Sequence, residues 1–279
     1  MFTKPKIGFV QGRLSPMINN RIQQFPLDSW QNEFALASKL DIKLIEWTID
    51  TYKFLENPLV KLKGREEINK TAEKNSILIP SVTCDYFMEN PPWKNDLMIV
   101  KKRIITILKG MRNIGSKILV VPLVDNSSLT TSNSIEVVKS LFTDLIPEIS
   151  ENRLQIAFEC DLNPEKLSDF IGKFDRNYFG VNYDIGNSSS LGFDPIEEFK
   201  AYGSRIINVH VKDRKLNGAT VPLGDGDANF QKIFRLLYET NYQGNLILQT
   251  ARSKYGEDAE VLVKYKKLVE DCWEEAVIG

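Results

Sequence analysis

The chain has 279 residues, 42% hydrophobic and 26% charged, the balance of a globular protein with a sizeable core rather than of a disordered or fibrous chain. Thirty-six Lys and Arg stand against 37 Asp and Glu, a formal net charge of -1, so the basic surplus of a nucleic-acid or anionic-membrane binder is missing. A single histidine, His210, and three scattered cysteines, Cys84, Cys160 and Cys272, exclude His-rich multinuclear zinc centres, two-histidine metalloprotease helices and short-spaced cysteine motifs.

The amino terminus, Met1 to Lys6, leads directly into a short apolar run without a signal-peptide core, and no apolar stretch approaches the ~20 residues that span a bilayer. A cytoplasmic protein without a membrane partner is expected. Apolar, β-branched runs then recur at intervals of roughly 35 residues. They are Ile7–Val10, Leu44–Trp47, Ile77–Thr83, Ile118–Leu123, Leu154–Glu159, Phe179–Asp184, Ile206–Val211 and Leu246–Thr250, each of the length of a strand buried on both faces. Helical periodicity fills the gaps. Asp28 with Gln31 predicts a capped helix carrying Trp30, Phe34, Ala37 and Leu40. Asp96 predicts another, with Val100, Ile104, Leu108 and Met111 on one face and Gly115 as its stop. Ile135–Ile149, Pro164–Ile171, Pro195–Tyr202, Phe230–Tyr238 and Glu257–Trp273 complete the set, the proline-led members placing Pro in a first turn where no N–H is needed.

Eight strand-helix repeats fit a closed (β/α)8 TIM barrel, an α/β fold, spanning 1–279 as a single domain better than an open doubly wound sheet. Gly12-Arg13-Leu14-Ser15-Pro16 after the first strand lacks the spaced glycines of a pyrophosphate turn, which rejects dinucleotide binding.

In such a barrel the carboxyl ends of the strands converge on one face, so a polar residue closing an apolar strand is a site candidate. Glu46, Asp85, Glu159, Asp184, His210 and Gln249 meet that test. Glu159, Asp184 and His210 sit in apolar runs where an unpaired charge would cost several kcal/mol. Two carboxylates, an imidazole and the Gln249 oxygen form a donor set suited to Mn²⁺, Zn²⁺, Co²⁺ or Mg²⁺; a metal-free network of ion pairs is the alternative.

Six segments taken together resemble the xylose isomerase-like sugar phosphate isomerases and epimerases, TIM barrels, over nearly the whole chain. They are Gly8-Phe9-Val10-Gln11-Gly12-Arg13-Leu14-Ser15, Leu44-Ile45-Glu46, Phe158-Glu159, Tyr183-Asp184-Ile185-Gly186-Asn187, Asn208-Val209-His210-Val211-Lys212-Asp213 and Leu223-Gly224-Asp225-Gly226. The resemblance implies one divalent metal held by Glu159, Asp184, His210 and the position of Gln249. Many members of that family carry a glutamate there, and the pair on strands five and eight looks like the two bases of their epimerases. An amide at Gln249 supplies no charge and accepts no proton near neutral pH, so two-base epimerisation loses a partner. One-base transfer through an enediol survives, with Glu159 as the base, Glu46 as the second candidate and the metal polarising the carbonyl.

Arg13, Asn187, Lys212, Asp213 and Arg252 are the expected substrate contacts, Asp213 also as the residue that orients His210 or a loop; loop bracing is the alternative for Arg13 and a surface ion pair that for Lys212 and Asp213. Gly224-Asp225-Gly226 is a candidate oxyanion turn, and Trp47, Tyr86, Phe87 and Trp93 a candidate wall for a sugar ring, with turn-shaping and core packing as the alternatives. The polar run Asp125–Ser134 reads as a lid or a long connection, and Cys160 alternates away from the site.

The expected function is a metal-dependent isomerase or epimerase of a small sugar or sugar phosphate. A dehydratase using the same base and metal, or a non-catalytic carbohydrate-binding relative signalled by Gln249, are the alternatives. Self-association through exposed helices is left open.

Overall fold

The computed structural model describes residues 4–18, 21–253 and 256–278; Met1, Phe2 and Thr3, read above as leaderless, lie outside the described residues. Eight parallel strands close a barrel: β1 (Ile7–Val10), β2 (Leu44–Ile49), β3 (Ser81–Cys84), β4 (Ile118–Leu123), β5 (Gln155–Cys160), β6 (Phe179–Asp184), β7 (Ile206–Val211) and β8 (Leu246–Leu248). Each pairs with its sequence neighbours, and β1 pairs with β8 to complete the ring, the (β/α)8 architecture that the apolar runs predict. Both faces of the strands are buried because helices cover the outside while the inner face packs on itself.

The strand bounds differ from the sequence expectation where the backbone chemistry decides. β3 starts at Ser81 rather than Ile77, since Pro80 has no N–H to give a ladder and the chain before it makes only an isolated bridge, Leu44 to Leu78. β2 continues past Trp47 to Ile49, which places Glu46 mid-strand rather than at its end. β8 stops at Leu248, although the Gln249 N–H still donates to Val211 O at 3.0 Å.

The helices are α1 (Trp30–Lys39), α2 (Leu62–Asn75), α3 (Tyr86–Glu89), α4 (Leu97–Ile114), α5 (Ser132–Thr143), α6 (Ile146–Glu151), α7 (Pro164–Gly172), α8 (Ile185–Leu191), α9 (Pro195–Tyr202), α10 (Phe230–Glu239) and α11 (Asp258–Ile278). Asp96 caps α4 by accepting from the Met98 and Ile99 N–H groups, and Gly115 ends it in the left-handed conformation. Ser29, not Asp28, precedes α1, and no side chain caps it. The continuous helix expected over Ile135–Ile149 is two, α5 and α6, because Pro147 removes a donor that one unbroken helix would need. A short antiparallel pair, Asp213–Arg214 with Thr220–Val221, follows β7.

The loop after β1 is held from α1. Gly12 adopts φ +98°, where a Cβ would also lie 2.9 Å from Gln24 O, so only glycine fits. Its N–H and that of Leu14 donate to the buried Glu33 carboxyl at 3.0 and 2.8 Å. Burial lifts Glu33 from 4.5 to about 7, against the pull of those N–H groups, Ser15 and Arg252. Between those values the native chain keeps a proton that the unfolded chain has released. The contribution is therefore complete below about pH 4.5 and is lost as pH rises through about 7, a matter of roughly 3 kcal/mol. Glu33→Gln, whose amide oxygen can take both N–H bonds, should flatten this slope. Urea unfolding at about pH 5 and pH 7.5 reads it, and an unchanged slope in the variant would assign the titration elsewhere.

Candidate active site

The carboxyl ends of the strands open on a cavity of about 380 Å³ whose lining includes Arg13, Gln23, Asp85, Glu159, Asn187 and Lys212. Period-two alternation sends Asn182 and Asp184 of β6, and Asn208 and His210 of β7, to the inner face, and register sets Asp184 beside His210 and Asn182 beside Asn208. Glu159 enters from β5. One ligand atom each of Glu159, Asp184 and His210 lies within 4.8 Å of the others, so the structure brings together three of the four residues expected to hold a metal.

His210 is fully buried. Its ring Nε2 lies 2.7 Å from Glu46 Oε1, and its Nδ1 lies 3.3 Å from Glu159 Oε2 but out of line for a hydrogen bond. Burial alone would push the imidazole down; Glu46 and Glu159 together outweigh it and raise it to about 10. Asn182 Nδ2 donates to Glu159 Oε2 at 2.7 Å and Asn187 Nδ2 to Oε1 at 2.8 Å, fixing the carboxylate plane. Arg214, in turn, donates to Asn187 Oδ1 at 2.9 Å. Asp184 Oδ1 accepts the Asn187 N–H and starts α8, while Oδ2 lies 2.6 Å from the Lys212 ammonium, an ion pair without hydrogen-bond alignment.

Gln249 is near this group yet turned within it. Its Oε1 accepts from Lys212 Nζ at 3.0 Å, and its Nε2 donates to Gln23 Oε1 at 3.1 Å. Gln23 Nε2 then donates to Asp85 Oδ2 at 2.5 Å. Burial lifts Asp85 to about 7; the Gln23 bond opposes this and the charge of Glu159 reinforces it.

Glu46, the second candidate for the base, and several expected substrate contacts have other partners. Glu46 does not reach the cavity: it is wholly buried beneath His210, where Ser81 Oγ and Asn208 Nδ2 also donate to it, at 2.6 and 3.1 Å. Asp213 is turned away, its carboxylate accepting the N–H groups of Gly224, Gly226 and Ala228. The Gly224 and Gly226 donors are thereby spent, and the turn is no oxyanion cradle. Arg252 donates to Gly12 O and Ser15 O and pairs with Asp258 at 3.0 Å, bracing the β1 loop. Arg13 does line the cavity, with its guanidinium held by Thr250 O, Ile22 O and Gln23 Oε1. Trp47, Tyr86 and Phe87 belong to the core and Trp93 packs against it, and Trp47 Nε1 donates to Asn57. The Asp125–Ser134 run is tied down through Ser127 to Phe87 O and Ser128 to Asp161.

Sequence reasoning passed over Asn182 and Asn208, although each stands two residues before a candidate and so on its face. It also gave no role to Gln23, which lies in an irregular segment, or to Arg214 of the short antiparallel pair, and it singled out Asp85 without assigning it one.

The family model for the xylose isomerase-like TIM barrel matches residues 34–265. Inosose dehydratase of Clostridium botulinum (strain Alaska E43 / Type E3) is 22% identical over 223 residues, 67% of this chain and 74% of that protein. The L-ribulose-5-phosphate 3-epimerase UlaE of Escherichia coli O1:K1 / APEC is 22% identical over 240 residues, 80% of this chain and 82% of the other. Among solved structures, the IolI protein with a bound zinc atom superposes with a TM-score of 0.73 at 16% identity, covering 97% of this chain and 99% of that one.

Proposed function

The chain belongs to the xylose isomerase-like TIM barrel family, and from that membership we propose that it is a divalent-cation-dependent isomerase or epimerase of a small sugar or sugar phosphate, acting through an enediol. The observation that carries the reading is that His210 Nδ1 and Asp184 Oδ2 are buried without an aligned hydrogen bond, in residues that with Glu159 bring one ligand atom each within 4.8 Å of the others. Buried nitrogen and oxygen atoms ordinarily make aligned hydrogen bonds; here they have charged neighbours instead, Lys212 at 2.6 Å from Asp184 Oδ2 and Glu159 at 3.3 Å from His210 Nδ1, a donor set that fits a cation.

Glu159, Asp184 and His210 would hold it, with the Gln249 oxygen available once Lys212 lets go. A cation there would replace the imidazole proton and, once bound, would polarise a substrate carbonyl. Glu159 is the base: it lines the cavity, and two asparagine amides aim its carboxylate. Lys212 and Asn187 face the same space and would hold substrate oxygens.

The cations around the cavity are already engaged. Arg13 and Arg214 hold carbonyls and amides, Arg21 pairs with Glu89, and Lys212 with Asp184. A phosphate would have to break these bonds, which favours the neutral sugar. The amide at Gln249 favours a second reading, dehydration, which needs one carbon base rather than two.

The test is a calorimetric titration of Mn²⁺, Zn²⁺, Co²⁺ and Mg²⁺, followed by turnover of L-ribulose, L-ribulose 5-phosphate and inosose with and without chelator. Stoichiometric binding is expected, with turnover reduced at least ~10-fold by chelation and restored by the metal. An unsaturated product absorbing in the ultraviolet would select dehydration. Absence of turnover of all three would overturn the assignment, and absence of cation binding with it would leave a carbohydrate-binding barrel.

A further inference from the structure

We propose that Asp85 is the acid of the reaction, delivering a proton to a substrate oxygen while Glu159 removes the proton on carbon. This rests on the function proposed above. Asp85 follows directly on β3, which in the eight-strand ring lies opposite β7 and His210, and it lines the same cavity as Glu159. It stands outside the group of Glu159, Asp184 and His210.

Gln249 is joined to Asp85 by one side chain. Gln249 Nε2 donates to Gln23 Oε1, Gln23 Nε2 donates to Asp85 Oδ2, and Arg13 anchors Gln23 from the side at 3.2 Å. This leaves Oδ1 to carry a proton toward the cavity. Of the charged groups around it, Glu159 and Asp50 favour the protonated form, whereas His210 and Arg13 oppose it. With burial these raise Asp85 to about 7, where a carboxylic acid can both give and regain a proton.

The step balances. As Glu159 takes the proton, the C–H pair becomes the new C=C bond. In isomerisation the carbonyl π pair moves to oxygen, which accepts the Asp85 proton; in dehydration the β-hydroxyl accepts it and leaves as water. Asp85 is then a carboxylate. In isomerisation it takes the proton of the second hydroxyl, whose O–H pair becomes the new C=O bond while the C=C pair takes the proton back from Glu159 at the other carbon. In dehydration Glu159 gives its proton to solvent and Asp85 recovers one from it.

Asp85→Asn keeps the size and the Gln23 contact but has no acid proton. Turnover of L-ribulose, L-ribulose 5-phosphate and inosose should fall about 10²-fold in kcat with KM within about threefold. The wild-type fall in kcat above about pH 7 should disappear, which a merely structural role would not produce. Independently of substrate, the Asp85 carboxyl signal, assigned in carbon-13 spectra by its absence from Asp85→Asn, should titrate near pH 7. A variant with kcat within about threefold of wild type, or an Asp85 titration in the ordinary carboxylate range, overturns this inference while leaving the proposed function standing. No turnover of any of these compounds by the wild type overturns the function itself, and this role with it.

Discussion

Glu159→Gln is expected to lower kcat by about 10³, the larger part of what a positioned base contributes, since an amide accepts no proton near neutral pH. The loss comes from more than basicity. Asn182 and Asn187 each present an N–H to one Glu159 oxygen, so whichever way the amide of Glu159→Gln turns, its NH2 group faces a donor. The side chain is displaced from the cavity, and misplacing a reacting group by about 1 Å costs on the order of 10². Glu159→Asp, with a carboxylate drawn back by one methylene, should therefore recover only part of the rate. Affinity for Mn²⁺ should fall about 10-fold or more in Glu159→Gln. Steady-state kinetics with calorimetry decide the matter: kcat within threefold of wild type would remove Glu159 from the chemistry.

The second large effect is on stability. Glu46→Ala should cost roughly 3 to 5 kcal/mol and lower the melting temperature by about 10 °C, because it strands several buried groups at once. His210 would lose its 2.7 Å partner and keep only carboxylates that make it no hydrogen bond, Glu159 and Asp184, and the Ser81 hydroxyl and an Asn208 N–H would lose their acceptor. Glu46→Gln preserves volume and one acceptor oxygen, so its cost should be less than half as large. Thermal unfolding of both variants in metal-free buffer is the measurement. A loss below about 1 kcal/mol in Glu46→Ala would mean that the 2.7 Å contact with His210 is not charge-assisted.

The barrel was legible because its signal is repeated and nearly local. β1, β4, β6 and β7 have the bounds of their apolar runs, and α9 spans the expected Pro195–Tyr202 with its proline in the first turn. α2 escaped notice because Ile68 alone of its residues is buried, which leaves almost no apolar stripe to read. The site divides in the same way. Glu159, Asp184 and His210 are held by strand periodicity and register, and they converge.

What surrounds them depends on contacts between distant segments. Nothing near Gln23 announces that it will bridge Asp85 and Gln249, 62 and 226 residues away. Nor does the pattern Asn208-Val209-His210-Val211-Lys212-Asp213 tell Lys212, which enters the cavity, from Asp213, which is turned to its own loop. Glu46 was misread for a related reason. Its strand runs on to Ile49, beyond the Trp47 at which its apolar run was taken to end, which sinks the carboxylate below the rim.

The grip of Asp213 on the amides of Gly224, Gly226 and Ala228 has a dynamic counterpart. Three N–H groups that share one buried acceptor have little reason to open singly, since freeing one leaves the carboxylate charge where it was. Their hydrogen exchange becomes a concerted event, governed by a single opening equilibrium, and a segment with almost no regular secondary structure acquires the all-or-none behaviour of a small cooperative unit.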